Sequence, residues 1–402
     1  MSRLDELIQE LCPNGVEYKT VSSISKNITS GGTPKTGVAE YYNGDIPWLR
    51  TQEVNFDDIT DTGVKITQLG VDNSSAKWIP ENCVIVAMYG ATVGKVAINK
   101  IPMTTNQACC NIELDKEKAL YRYVFHCLCN QYQYIKSLGQ GSQTNINAQI
   151  VKKLTIPVPP LEVQSEIVRI LDNFTELTAE LTAELTARKK QYEYYRNKLL
   201  SFNKLIKSGG CQLKKLREIA EYSHKRINAI AMKKDNYVGV DNLLPNKAGK
   251  VGSNYVPTKG NLTAYVIGDV LIGNIRPYLK KIWLAYNEGG ASGDVLVIHL
   301  TDQSVDVKYL YQVLADDKFF NYNMQFAKGA KMPRGSKQKI MDYIIPVPSL
   351  EEQRRIVSIL DKFDMLTTSI SEGLPKEIEL RRKQYEYYRN QLLSFPDNKT
   401  TA

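Results

Sequence analysis

The chain has 402 residues, about twice the usual size of a single domain, so two or more hydrophobic cores are expected. A hydrophobic share of 43% with 24% charged residues is ordinary for a globular protein, and no apolar run approaches the roughly 18 residues needed to cross a bilayer. The net charge of +9 is unevenly placed: residues 209–345 hold 20 Lys/Arg against 12 Asp/Glu, residues 14–155 only 14 against 12. A basic excess in one globular half suits contact with a polyanion, although a solvated basic face would look the same.

The N-terminus, MSRLDELIQELCPNG, puts acidic residues where a secretory signal needs a basic stretch and an apolar core, so a cytoplasmic protein is expected. Seven cysteines, an odd number lying at or before Cys211, argue against a disulfide framework. Cys109-Cys110 and His126-Cys127-Leu128-Cys129 lack a second pair at structural-zinc spacing, so buried thiols are expected and no metal.

In chain order, a first variable module is predicted to be mixed α/β. The β-rich runs NCVIVAMYG and KVAIN alternate with turns and lead into a helical stretch, KALYRYVFHCLCNQYQYIKSL. A long helix comes next, with Ile167, Ile170, Leu171, Phe174, Leu177, Leu181 and Leu185 stepping by three or four along one face. From Leu161 to Phe202 it would span about 60 Å. A second variable module repeats the alternation with AYVIGDVLIG, KKIWLAY and VLVIHL, then the helical VKYLYQVLADDKFFNYNM. The chain ends on another helix, with Ser349 and Glu352 placed as a capping box at its start. Gly373 and Pro375 should break that helix.

The two helical modules are copies. IPVPPLEVQSEIVRILDNF from Ile156 and IPVPSLEEQRRIVSILDKF from Ile345 agree at 13 of 19 positions. RKKQYEYYRNKLLSF from Arg188 and RRKQYEYYRNQLLSF from Arg381 agree at 13 of 15. A fainter echo begins at Gly15 and again at Gly210. Each apolar stripe needs a partner, and the other copy in an antiparallel pair is the obvious one. The expected fold is thus α+β: two mixed α/β domains separated by a long antiparallel helix pair, related by a pseudo-two-fold.

Signs of catalysis are weak. Gly139-Gln140-Gly141 lacks a third glycine, and Gly90 to Lys95 is one residue short of a phosphate loop and ends in Val96 where Ser or Thr is needed. A tight turn between strands explains the latter better. None of the three histidines sits in a hydrolytic arrangement, so a binder and not an enzyme is expected.

Two variable globular modules, each followed by a copy of one helical module, resemble the specificity subunits of type I restriction–modification enzymes. The Thr-Ala-Glu-Leu runs at 178–181 and 182–185, the Arg188–Asn197 segment, Gly31-Gly32-Thr33-Pro34 with Ile46-Pro47-Trp48, and the stretch from Asn274 to Lys281 carry the resemblance. It covers essentially the whole chain. It implies target-recognition domains at residues 1–155 and 209–344, and conserved helical regions at 156–208 and 345–402. It also implies double-stranded DNA, two methyltransferase subunits and two restriction/translocase subunits as partners. S-adenosylmethionine, ATP and Mg would then belong to those partners and no cofactor to this chain. Competing readings are a stand-alone pseudo-dimeric DNA-binding regulator and a coiled-coil scaffold whose variable domains bind protein.

Reading bases takes Arg for guanine and Asn or Gln for adenine, while phosphates are gripped by Lys, Arg and hydroxyls. The candidates in the first domain are Arg50, Gln52, Tyr89, Thr92, Lys95, Asn106, Gln107, Gln143 and Asn145. In the second they are His224, Lys225, Arg226, Arg276, Tyr278, Lys280, Lys281, Lys331, Arg334 and Lys337. Trp48 reads as core. Tyr192, Tyr195, Arg196, Tyr385, Tyr388 and Arg389 are the candidates for docking the methyltransferase, since a helix pair buries one stripe and these tyrosines cover two faces.

Overall fold

The computed structural model describes residues 2–139, 145–201, 205, 210–368 and 372–398. Five helices frame the fold: α1 (Tyr121–Asn130), α2 (Leu161–Leu199), α3 (Val307–Leu314), α4 (Leu350–Thr368) and α5 (Gly373–Leu392). The fold class is as expected, two mixed α/β modules with the 39-residue helix α2 between them in the chain. The break also falls where Gly373 and Pro375 place it: α5 starts at Gly373, whose φ is +77°. The chain divides into two compact units, Met1–Glu180 with Glu379–Ala402, and Leu181–Ile378. Each unit therefore combines one variable module with a segment from each helical copy.

The first unit has a five-stranded sheet in the order Ser25–Ser30, Cys109–Leu114, Val84–Ala87, Val96–Asn99, Asp58–Ile59. Val84, Ile85, Val86, Val96, Ala97 and Ile98 are fully buried, so the two central strands read as unbroken β-branched and apolar runs. The second unit orders Ala220–Tyr222, Val295–Leu300, Val270–Gly273 and Ile282–Leu284 in its sheet, again with a buried central strand. The faint echo near Gly15 and Gly210 is a strand. Tyr18–Thr20 pairs antiparallel with Thr155–Pro157, and Gln212–Lys215 with Ile344–Val347, so each IPVP motif closes its unit against the chain's entry into it. Trp48 is core, 5% exposed, its indole N–H donating to the Gly32 carbonyl at 3.0 Å.

The same joint seats the helices in both units. Gln164 and Gln353, at equivalent positions, donate to the Pro159 and Pro348 carbonyls at 2.8 Å. Tyr123 in α1 donates to the Pro157 carbonyl at 3.0 Å, and Tyr309 in α3 to Pro346 at 2.8 Å. Asp172 accepts from Arg122 and His126; Asp361 accepts from Lys308 and Gln312. Ser349 caps α4 as expected, accepting from the Glu352 N–H at 3.3 Å, but the Glu352 carboxylate turns to Arg355.

The tyrosine-rich motifs complete this joint. Tyr192 and Arg196 are 8% and 7% exposed inside the second unit. Arg196 donates to the Ala315 carbonyl at 3.2 Å and the Gln312 side chain at 2.6 Å. Tyr195 stacks on Phe363 at 5.4 Å. In the first unit Tyr385 bonds His126 at 3.0 Å, Arg389 bonds Asn130 at 3.1 Å, and Tyr388 stacks on Phe174 at 5.3 Å. All six side chains thus bind their own chain, because docking a helix end on α1 or α3 buries aromatic and guanidinium groups together. The motif's most exposed tyrosines are Tyr194 and Tyr387, at 60% and 61%, and Tyr388 is still 38% exposed.

Only the first unit carries a histidine in this joint, and acid should find it. Burial holds the fully buried His126 below the ordinary histidine value of 6.5, outweighing the pull of Asp172, with Arg122 and Arg389 adding to the depression. Desolvation pushes the Asp172 carboxyl up, but hydrogen bonds from His126 and Arg122 bring it below its usual range. Both groups bind more protons unfolded than folded, so their contribution is complete above about pH 6.5 and fades as pH falls. His126→Gln, the arrangement present at Gln312, is expected to leave the first unit's melting temperature flatter between about pH 7 and 5 than in the parent chain. Equal pH slopes in a thermal titration of the two proteins would remove His126 from the acid response.

Candidate nucleic-acid interface

Both units present the same hairpin. Val84–Ala87 pairs with Val96–Asn99, and Val270–Gly273 with Ile282–Leu284, in matching registers. Each encloses an eight-residue loop, 88–95 and 274–281. Gly90 to Lys95 is thus a strand-to-strand turn. In the first unit its left-handed positions are Gly90 and Gly94, both with φ +80°. In the second they are Arg276 and Lys280, both at +52°. Non-glycine residues there cost about 1 kcal/mol each, and such strain collects at functional sites.

A second loop lies against each hairpin. The backbone N–H of Ile146 donates to Met88 at 3.0 Å, and that of Gly335 to Asn274 at 3.2 Å. Residues 146 and 335 are equivalent, each preceding the cap of a short helix, Asn147 before Ala148–Lys153 and Ser336 before Lys337–Met341. In the second unit Arg334 and Lys328 exchange backbone hydrogen bonds at 2.8 and 2.9 Å, and Arg276 N–H donates to Pro333 at 2.7 Å. The approach is close: a Cβ at 335 would lie 2.2 Å from Asn323 Oδ1, so a larger residue would have to displace that amide. Asn274 Oδ1, both ends of the Asn323 amide and Arg276 Nε are buried there without a hydrogen-bond partner among the described residues. A cavity of about 410 Å³ opens beside them, lined by Arg276, Lys281, Asp241, Asp294 and Met332 among others.

Backbone hydrogen bonds bring most first-unit candidates together. Asn106 N–H donates to Leu49, next to Arg50; Met88 N–H donates to Ala108; the Thr92 hydroxyl donates to Thr51, next to Gln52. Tyr89 is 40% exposed, Gln52 and Gln107 are exposed, and Arg50 is half-buried beside Glu53. Several side chains are already engaged. Lys95 donates to Asn55 at 2.6 Å, Asn106 Oδ1 caps the Ala108 N–H at 3.1 Å, and Gln107 accepts from Thr33. Asn145 is half-buried, its amide oxygen buried and unpartnered among the described residues. Gln143 lies outside the described residues.

In the second unit Tyr278, Lys331, Arg334 and Lys337 are exposed or half-buried around the same loops. Lys280 is paired with Asp317 at 2.9 Å, and the Lys281 amine is turned inward to the Val240 carbonyl, so neither is free to contact a ligand as it stands. Burial lowers the Lys281 pKa, as expected for an amine folded inward. His224, Lys225 and Arg226 are exposed on a neighbouring strand connection, where Arg226 bonds Thr263 at 3.0 Å. Among the described residues no hydrogen bond ties these three to the hairpin loop.

Sequence reasoning missed Asp294, which holds Arg334 Nε at 3.1 Å, and Lys247, which shares Asp317 with Lys280. An acidic residue orienting a basic one across 40 positions leaves no local pattern. Six cysteines are buried and Cys211 is partly so, all as free thiols. Among the described residues no group of His, Cys, Asp and Glu could hold a metal, and no helix is long and apolar enough to cross a membrane.

A family model described as the type I restriction modification DNA specificity domain matches residues 13–188 and again 202–380. The type I restriction enzyme EcoR124I/EcoR124II specificity subunit of Escherichia coli is 35% identical over 72% of this chain and 74% of its own. The EcoprrI specificity subunit, also of Escherichia coli, is 31% identical over 92% and 93%. The crystal structure of the type I restriction–modification S subunit from M. genitalium superposes with a TM-score of 0.56 at 17% identity, over 95% of this chain and 97% of that one. A chain from a structure addressing complex assembly and conformational transition of the type I R-M system gives 0.59 at 17%, over 95% and 98%. At that identity the likeness is one of fold.

Proposed function

This chain belongs to the type I restriction–modification DNA specificity family, and we propose that it recognises a bipartite double-stranded DNA target in the cytoplasm. One half-site falls to each unit, and the chain directs two adenine methyltransferase subunits and two restriction/translocase subunits to the site. S-adenosylmethionine, ATP and Mg belong to those partners, and this chain performs no chemistry itself. The carrying observation is the paired loop, 88–95 with 145–147 and 274–281 with 334–336, built alike in both units and edged with amide, hydroxyl and basic side chains. Such groups suit base edges and phosphates.

The test is co-expression with the methyltransferase subunits followed by methylome sequencing. Two short defined elements at a constant gap are expected; methylation without such a motif would overturn the proposal. The purified chain alone should transfer no methyl groups, and DNA binding that needs no enzyme partner in the cell would favour the regulator reading.

Lys331→Ala with Lys337→Ala should weaken DNA binding at every sequence alike. The slope of log affinity against log salt should flatten by roughly one to two, about 0.9 for each phosphate no longer neutralised. An unchanged slope at full affinity would take this edge out of the interface.

A further inference from the structure

Residues 145 and 334 stand at one position of the duplicated architecture. Each lies two residues before the cap of the short helix that precedes its IPVP strand, and each is followed by the residue whose N–H reaches the hairpin loop. The chemistry at that position differs between units in the way base reading would require. Arg334 has its backbone pinned on both sides, to Lys328 and next to the Pro333–Arg276 hydrogen bond. Its Nε is taken by Asp294 at 3.1 Å, and no other side-chain partner occurs among the described residues. An arginine held at Nε keeps its end-on pair of Nη–H donors for a second partner, a fork that fits the O6 and N7 of guanine. Asn145 has an amide whose buried oxygen is without a partner among the described residues, and an amide fits the N6 and N7 of adenine once it is turned out to a base.

We propose that Arg334 and Asn145 occupy the same base-reading position in the two units, Arg334 for a guanine and Asn145 for an adenine, with Asp294 as the residue that positions Arg334. This rests on the reading of the chain as a two-part DNA recogniser. Lys331 and Lys337, on the same edge, are left with phosphate contact, which carries no sequence information.

The experiment uses the assembled methyltransferase complex and methylome sequencing with the parent chain, Arg334→Ala, Asn145→Ala and Asp294→Asn. Arg334→Ala should lose about 10-fold or more of its preference at one G·C pair of one half-site and leave the other half-site intact. Asn145→Ala should do the same at one A·T pair of the other half-site. Asp294→Asn should relax the same G·C pair as Arg334→Ala, by less. Arg334→Gln, which keeps a forked polar group, should move preference at that pair towards adenine. A parent complex with no motif would sink the DNA-recognition reading itself. A parent motif kept unchanged in the variants sinks this assignment alone, as does a uniform loss of methylation at the parent melting temperature. Should Arg334→Ala melt early, the Arg334→Gln and Asp294→Asn motifs decide the matter by the same criteria.

Discussion

Deleting residues 178–181 from α2 is expected to leave both half-sites recognised while the gap between them shortens by one or two base pairs. The four residues form one Thr-Ala-Glu-Leu unit inside a continuous helix. Removing them shortens the helix by about 6 Å and rotates its C-terminal remainder by about 400°, nearly a whole turn. Along this stretch Phe174, Leu177, Thr178, Leu181, Leu185 and Arg188 are partly buried or flank exposed neighbours, the pattern of one covered stripe. A near-whole-turn deletion keeps that stripe on its own face. At about 3.4 Å per base pair, 6 Å is one or two base pairs. Deleting Thr178 and Ala179 alone turns the remainder about 160° off its face, and loss of activity or folding is expected. Methylome sequencing of both deletion strains measures the outcome. An unchanged gap after the four-residue deletion would mean that α2 does not set the spacing.

Arg196→Ala is expected to destabilise the second unit by about 3–4 kcal/mol, the scale for breaking a buried charged hydrogen-bond network from one side. The guanidinium sits 4.6 Å over the Tyr192 ring and bonds Tyr192, Gln312 and Ala315. Its removal takes the donor from the Ala315 carbonyl in the interior and leaves the Gln312 oxygen only the Tyr192 hydroxyl at 3.5 Å. For a unit of this size the loss corresponds to a melting temperature roughly 6–16 °C lower. Arg196→Lys should recover only a minor part, because an ammonium cannot reach two acceptors as a planar fork does. The equivalent Arg389→Ala should cost about 1 kcal/mol, since Arg389 is half-buried, bonds Asn130 and lies 5.2 Å over the Tyr385 ring without stranding a buried partner network. Denaturation followed separately in each unit, with a probe in each, gives both values. A loss below about 1 kcal/mol for Arg196→Ala would mean that this joint does not hold the second unit.

The candidate contact residues could be named from sequence because base and phosphate chemistry restricts side-chain types. Arg334 stands beside the hairpin, bridged to Ile275, with Lys331 and Lys337 exposed within three residues of it in the chain. Lys280 and Lys281 read identically in sequence, yet one is paired with Asp317 and the other is folded onto Val240. Nothing local to LKK distinguishes them. Asp317 arrives from 37 positions further on, and long-range pairing of that kind leaves no periodicity behind.

The sequence alone determined the duplicated plan, the long helix, the break at Gly373 and the β-rich runs of each module. These come from apolar period, glycine and proline, which act on neighbouring residues. Tertiary structure alone decided what the YEYYR motifs touch. A helical face records that it will be covered, and says nothing of what covers it. Tyr192 and Arg196 are covered by α3, and Tyr385 and Arg389 engage α1, which lies more than 250 residues away in the chain. The same holds for the backbone strain at Arg276 and Lys280. Positive φ at a residue other than glycine is imposed by the loops around it, and only their closure against residues 333–335 and 246–247 reveals it.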